Sequence, residues 1–135
     1  MPTLTEKIRA TIQGYFDAYD SGSVEAILAL LDDDVAIEDP VGSEVLRGAA
    51  VRELYERAVA LKVKLVATGP FRIAGHEAAF PLRGTAVLES GPIEYEVIDV
   101  MVFNEHGRIK SMRAFFGPEN VRPDSNRSRC SGASE

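Results

Sequence analysis

The sequence predicts a single α+β domain in which three N-terminal helices pack on one face of a curved, mainly antiparallel sheet. Helical spacing of apolar residues is confined to the first half of the chain. Four strand-like stretches follow, and turn residues separate them. The chain of 135 residues has the length of one domain, and its 45% apolar residues suffice for one core. Helices followed by a meander of strands are typical of the α+β class.

Three helices are predicted, each with its own start or stop signal. The first begins with a capping-box pattern at Thr3 and ends at Gly22. Ser23 can cap the second helix, whose apolar face ends at Leu31, just before a run of three aspartates that is unfavourable at a helix C-terminus. The third covers about residues 49–61, where apolar side chains again recur at helical spacing.

The predicted strands are one short segment and four longer stretches. The short strand covers residues 35–39 and ends at Pro40. The longer stretches, separated by Gly, Pro, Ser and Asn residues, are Val63–Ile73, Ala78–Leu88, Ile93–Phe103 and Arg108–Phe116. After residue 117 the composition shifts to Ser, Pro, Asn, Arg and Gly. We therefore expect a domain over residues 1–117 and a flexible tail over residues 118–135.

Charge and composition exclude several classes of function. A net charge of −6 without a basic stripe disfavours nucleic-acid binding. No apolar run approaches the length of a membrane span, and no signal peptide is recognisable, so we expect a cytoplasmic protein. The lone Cys130 permits no intrachain disulfide, and His76 and His106 lack the spacing of metal ligands.

Asp99 is the most informative residue, because it interrupts an apolar strand face. Side chains alternate across a strand, so the odd positions from 93 to 103 share one face, which is apolar apart from Tyr95 and Asp99. An ionised carboxylate is costly to bury alone, so such a group is either paired or protonated. One interpretation is a buried ion pair with Arg83 or Arg113. The other is a neutral functional acid.

Asp39 and two tyrosines have similar dual interpretations. Asp39 shares a strand face with apolar neighbours but also precedes Pro40, so it is either a turn-initiating residue or a base held in extended geometry. Tyr15 and Tyr55 lie on the inward stripes of their helices, where each is either a core phenol bonded to a backbone carbonyl or a functional donor. Tyr95 is interpreted as structural.

Three segments together resemble the bacterial Δ5-3-ketosteroid isomerases. They are Tyr15–Gly22 (YFDAYDSG), Asp32–Gly42 (DDDVAIEDPVG) and Val97–Met101 (VIDVM) with the hairpin that follows. The order and approximate spacing match from residue 8 to about residue 121. The resemblance implies the conical nuclear transport factor 2-like fold (SnoaL-like superfamily), with an apolar pocket between helices and sheet.

The resemblance also implies a role for each candidate. Asp39 would be the general base, Tyr15 and a protonated Asp99 the oxyanion hole, and Tyr55 the phenol that orients Tyr15; a protonated acid is an established feature of this family. The implied substrate is a small apolar ketosteroid, converted without a cofactor or metal by a homodimer. The implied pocket wall consists of Leu54, Phe80, Leu82, Val97 and Phe116.

The sequence departs from the family pattern at one network position, and other functions remain open. Leu31 stands where some members have a third tyrosine. Dehydratases, polyketide cyclases and small epoxide hydrolases share this fold, which does not by itself choose among them. Epoxide hydrolysis of this type uses two carboxylates bridged by an arginine. A non-catalytic domain that binds an apolar ligand is the remaining alternative.

Overall fold

The computed structural model describes residues 1–124, which form three α-helices, one short 3-10 helix and a seven-stranded sheet. The α-helices are α1 (Leu4–Ser21), α2 (Val24–Leu28) and α3 (Ala49–Ala60). The strands are β1 (Leu31–Glu38), β2 (Lys64–Ala67), β3 (Arg72–Ala74), β4 (Glu77–Leu88), β5 (Gly91–Phe103), β6 (Ile109–Phe115) and β7 (Val121–Pro123). Among these residues no helix is both long and apolar enough to cross a membrane.

Helix α1 begins and ends where the sequence signals predict. The Thr3 hydroxyl accepts a hydrogen bond from the Glu6 N–H at 3.1 Å, and the Thr3 N–H donates to the Glu6 carboxylate at 2.7 Å, which completes the capping box. Gly22 ends the helix in the left-handed region, with φ 69°. Four residues that recur at helical spacing are buried and pack α1 against the rest of the core: Ile8, Ile12, Tyr15 and Tyr19.

The sheet has the strand order β1-β6-β5-β4-β2, with β3 paired to β4 and β7 to β5. The pairings from β4 to β6 are antiparallel, and only β1 and β6 run parallel. The end of β1 therefore lies beside the end of β6, one strand away from the middle of β5. This topology brings the segment after Glu38 close to Asp99.

The core lies between the helices and the inner face of the sheet, and the predicted alternation in β5 is confirmed. Asp99 is 4% exposed and Met101 is fully buried, whereas Ile98 on the opposite face is 50% exposed. Arg83 on β4 and Arg113 on β6 lie on the same outer face as Ile98, as the register of the two strands requires.

The second helix is shorter than predicted. It ends at Leu28, and Leu31 together with the three aspartates belongs to β1 instead. The Leu30 carbonyl accepts from the Ile109 N–H at 2.9 Å, and Asp32 accepts from the Asn104 side-chain amide at 2.8 Å. The bonds from Ile109 and Asn104 satisfy these groups without placing three negative charges at a helix C-terminus.

The predicted strand over residues 63–73 is two strands, β2 and β3, separated by Gly69-Pro70. Pro70 has no N–H to donate to a ladder. Gly69 approaches β4 so closely that a Cβ placed there would lie 2.9 Å from the ring of Pro81. Pairing with β4 is therefore interrupted between β2 and β3 and resumes at Arg72.

Part of the segment expected to be a flexible tail takes regular structure. Residues 118–120 form the 3-10 helix, and β7 pairs with β5 over residues 93–95, where β6 no longer covers that strand. Arg122 donates to Glu94 and Glu96, each at 3.1 Å. The rest of the expected tail, residues 125–135 with Cys130, lies outside the described residues.

Candidate active site

A small cavity lies between α1, the end of β1 and the inner face of strands β4 to β6. Its volume is about 30 Å³. Its walls are formed by Tyr15, Tyr19, Asp39, Leu65, Leu82, Tyr95, Val97, Asp99, Met112, Ala114 and Phe116. Three of the four residues that sequence analysis marked as candidate catalytic groups thus face one space, and the fourth, Tyr55, contacts Tyr15 from behind.

The backbone on both sides of Asp39 is held by hydrogen bonds. Before it, Ile37 exchanges two backbone hydrogen bonds with Leu46. After it comes a cis bond to Pro40, and the Val41 N–H donates to the Ala114 carbonyl at 2.8 Å. The first pair of bonds joins the Asp39 segment to Leu46, and the Val41 bond joins it to β6.

The Asp39 carboxyl has an unusual proton affinity for an aspartate. Burial raises its pKa from 3.8 to about 6, and among residues 1–124 no neighbouring cation offsets that effect. At neutral pH the group is therefore mostly ionised, yet it is a stronger base than an aspartate in water. A carboxylate in this state is suited to removing a proton from carbon.

Asp99 lies in the middle of β5, between Phe80 on β4 and Ala114 on β6. Burial, and secondarily the negative charge of Asp39, raise its pKa from 3.8 to about 8. The group is therefore mostly protonated at neutral pH and can donate a hydrogen bond. The two carboxyls thus share one cavity in opposite protonation states.

The ion-paired interpretation of Asp99 is wrong. Arg83 lies 3.7 Å from Glu94, and Arg113 donates to Glu38 at 2.9 Å. Both arginines lie on the outer face of the sheet, so neither can reach Asp99. Within residues 1–124 no cation forms an ion pair with either Asp39 or Asp99.

Tyr15 and Tyr55 form a buried phenol pair. Their hydroxyl oxygens are 3.0 Å apart, and their rings meet edge to face. Neither phenol donates a hydrogen bond to a backbone carbonyl of the described residues, as the structural interpretation would have required. Burial raises the pKa of both phenols above the ordinary value, so both keep their protons at neutral pH. Leu31, where the resemblance would place a third tyrosine, is a buried apolar residue.

The predicted pocket-wall residues separate into three groups. Leu82, Val97 and Phe116 line the cavity. Leu54 lines a neighbouring pocket of about 160 Å³. Phe80 is not among the lining residues of either space, and its ring packs on Phe71 at 5.3 Å.

Two further tyrosines, Tyr19 and Tyr95, face the cavity, although the sequence pattern of each predicts only a structural residue. The helical spacing of Tyr19 matches that of Tyr15 and by itself predicts only a core residue. Tyr95, interpreted as structural, shares the odd-numbered face of its strand with Asp99. The shared face is the signal that could have identified it.

Comparisons with known proteins show the family and the fold of this chain. The sequence model of the SnoaL-like domain family matches residues 12–112. The chain is 41% identical over 121 residues to the Steroid Delta-isomerase of Nocardioides simplex, and the match covers 87% of this chain and 96% of that protein. The solved structure of SalBIII, an epoxide hydrolase/cyclase-like enzyme with a role in pyran ring formation in polyether salinomycin, is similar with a TM-score of 0.82. That likeness has 27% sequence identity and covers 87% of this chain and 95% of SalBIII.

Proposed function

Because the chain belongs to the SnoaL-like domain family, we propose that it is a steroid Δ-isomerase that converts 3-oxo-Δ5-steroids into 3-oxo-Δ4-steroids. The expected conical α+β fold of the nuclear transport factor 2-like proteins is confirmed by the family match and by the structural likeness. A relative with that activity, 41% identical over most of the chain, supports the isomerase assignment. The observation that carries the proposal is the pair of carboxyls, Asp39 and Asp99, in one cavity and in opposite protonation states.

In this reaction Asp39 moves one proton between two carbons of the substrate. Its carboxylate removes a proton from carbon 4, the C–H electrons form a carbon 3–carbon 4 double bond, and the carbonyl π electrons move to oxygen. Asp39 then returns the proton to carbon 6. The carbon 5–carbon 6 π electrons take up that proton as the dienolate collapses to the conjugated 4-ene-3-one. Substrate and product have the same composition, so the proton transfer is balanced without an external oxidant or reductant.

The developing negative charge on the ketone oxygen requires donors that are already in place. Tyr15 and protonated Asp99 supply them, and the Tyr55 contact holds the Tyr15 hydroxyl at the cavity. Such donors are stronger in an apolar, water-poor site than in water, and loss of one typically lowers kcat by about 10²–10³-fold. The raised pKa values keep both donors protonated at neutral pH.

The epoxide hydrolase alternative is less well supported. That chemistry on this fold uses two carboxylates bridged by an arginine. The two arginines that sequence analysis considered for this role, Arg83 and Arg113, pair with Glu94 and Glu38 instead. The likeness to SalBIII therefore supports a common fold rather than a common reaction.

The outer face of the sheet supports the expectation of a homodimer. Ile98 is 50% exposed and Phe115 is 41% exposed on this face, and the Arg113 guanidinium lies 5.0 Å from the centre of the Phe115 ring. Exposed apolar side chains next to one another are typical of an interface. Light scattering on the purified protein tests this: twice the mass of one chain is expected, and Ile98→Lys should shift it to one chain's mass.

A spectrophotometric assay tests the proposed activity. Purified protein is mixed with a 5-ene-3-ketosteroid, and the rise in ultraviolet absorbance reports conjugation of the double bond. Asp39→Asn should lower kcat by roughly 10²–10⁴-fold, the usual contribution of a general base. Asp33→Asn, the same substitution at an exposed position of β1, is the matched control and should retain activity.

Two outcomes would contradict the proposal. The first is no conversion above buffer by a protein whose circular dichroism shows it to be folded. The second is an equal loss in both variants, which would mean that the Asp39 carboxylate is not the base. A passive binder should hold the steroid equally well with Asp39→Asn and show no turnover in any variant.

A further inference from the structure

Two cavities meet at the candidate active site and share a wall. The inner cavity, about 30 Å³, contains Asp99, and the outer pocket, about 160 Å³, lies towards α3. Three residues line both spaces: Tyr19, Asp39 and Tyr95. Sites for drug-sized ligands usually measure about 300–1,000 Å³. Neither space is large enough for a four-ring steroid, so part of the shared wall must move when one binds.

Tyr95 is the member of this wall that is free to move. Tyr19 is buried in α1, and Asp39 lies in a segment joined to β6 by backbone hydrogen bonds. Tyr95 is half-buried, and within residues 1–124 its hydroxyl makes no hydrogen bond. Its ring is held by packing on Phe116, with 5.3 Å between ring centres. Rotation of this side chain would therefore break its packing contacts, including the one with Phe116, but no side-chain hydrogen bond within residues 1–124.

Gly84 explains how the ring reaches its present position. Gly84 lies directly opposite Tyr95 in the β4–β5 ladder. A Cβ at position 84 would lie 2.7 Å from both Cε2 and the hydroxyl oxygen of Tyr95, so the ring rests on the glycine backbone. Glycine in a strand interior often marks such a close approach. The position of the Tyr95 ring therefore depends on residues of both β4 and β5.

We propose that Tyr95 is a specificity-determining residue whose ring separates the catalytic cavity from the outer pocket. A ligand of one or two rings is too short to extend into the outer pocket, whereas a four-ring steroid displaces the Tyr95 ring and places its far end there. Four apolar side chains line that pocket: Leu54, Ala58, Leu61 and Val63. They fit the hydrocarbon rings remote from the ketone. The class of ligand rests on the proposed function.

Binding of two stable ligands tests this inference without turnover. One is a steroid 4-en-3-one, and the other is a bicyclic 4-en-3-one that reproduces only its first two rings. Calorimetry gives the Kd of each for the wild type, Tyr95→Val and the matched control Tyr95→Phe, which keeps the ring. The ratio of the bicyclic Kd to the steroid Kd should rise roughly tenfold in Tyr95→Val, about 1.4 kcal/mol, since the steroid no longer displaces a packed ring. The ratio should stay near the wild-type value in Tyr95→Phe.

An unchanged or lower ratio of the bicyclic Kd to the steroid Kd in Tyr95→Val would overturn the inference. An equal rise of this ratio in Tyr95→Phe would also overturn it, as would the absence of binding of either ligand to both the wild type and Tyr95→Val. The proposed function fails separately, because absence of isomerisation leaves the binding ratio measurable. A second measurement checks the geometry. Gly84→Ala should lower the melting temperature in the wild type but much less in the Tyr95→Val background, and equal losses would show that the ring does not rest on Gly84.

Discussion

Replacing Asp99 with asparagine should stabilise the fold progressively as the pH rises. The folded protein holds the Asp99 proton more tightly than the unfolded chain, because the pKa is about 8 in the fold and 3.8 in the reference state. Between these values the unfolded chain binds fewer protons, so the free energy of unfolding decreases with increasing pH. The contribution of Asp99 to the free energy of unfolding is fully present below pH 3.8 and is lost once the pH exceeds about 8.

The size of this effect follows from the shift. One pKa unit corresponds to about 1.36 kcal/mol, so a shift of about four units makes the wild type lose on the order of 5 kcal/mol between about pH 4 and pH 9 through this group. An asparagine side chain has no proton to lose, so the Asp99→Asn variant should lack that loss. Asp39→Asn removes a shift of about two units, on the order of 3 kcal/mol. The two effects should not add, since the Asp39 charge also raises the Asp99 pKa.

Urea unfolding followed by far-ultraviolet circular dichroism measures the effect. Wild type and Asp99→Asn are compared at one protein concentration near pH 4, 7 and 9. The difference in free energy of unfolding should be smallest at the lowest pH and should grow in favour of the variant. Parallel pH dependences would refute the assignment of Asp99 as a carboxyl kept neutral by burial.

Two further predictions concern activity. The pH profile of kcat/KM should be bell-shaped, because Asp39 must be ionised and Asp99 protonated, with limbs near the pKa values of about 6 and about 8. The Asp99→Asn variant should lack the alkaline limb. A wild-type profile with one limb would contradict both roles. Tyr55→Phe removes the 3.0 Å contact to Tyr15 and should lower kcat several-fold, about the effect of one hydrogen bond. Steady-state kinetics should show a much larger loss for Tyr15→Phe, and equal losses would mean that Tyr55 itself contacts the substrate.

Much of the site could be predicted because a carboxyl on an otherwise apolar strand face stands out in the sequence. Alternation along β5 places Asp99 on the inner face without any knowledge of the partner strands, and the burial of Asp99 confirms this. The partners of Arg83 and Arg113 could not be predicted in the same way. They depend on which face each arginine occupies after three strands are aligned.

Local signals failed where long-range pairing decided the structure. Leu31 fits the apolar face of a helix, but its neighbours are held by β6, far along the chain. The composition around Val121 predicts a tail, yet β7 forms where β6 does not pair with the first residues of β5. The proposed role of Tyr95 depends on Gly84, which lies opposite it on the neighbouring strand, and the pattern of a single strand does not show which residue lies opposite.

The parallel pairing of β1 with β6 has a consequence for how the protein acquires activity during folding. Strands β4, β5 and β6 are joined by short turns and can pair early, whereas Ala36 pairs with Ser111, more than half the chain's length away. Contacts of such long range form slowly, because the chain must close a large loop before they are made. Asp99 belongs to the early part of the sheet and Asp39 to the late part. In a refolding experiment, the secondary-structure signal should therefore recover before turnover, and the delay between them would measure the closure of β1.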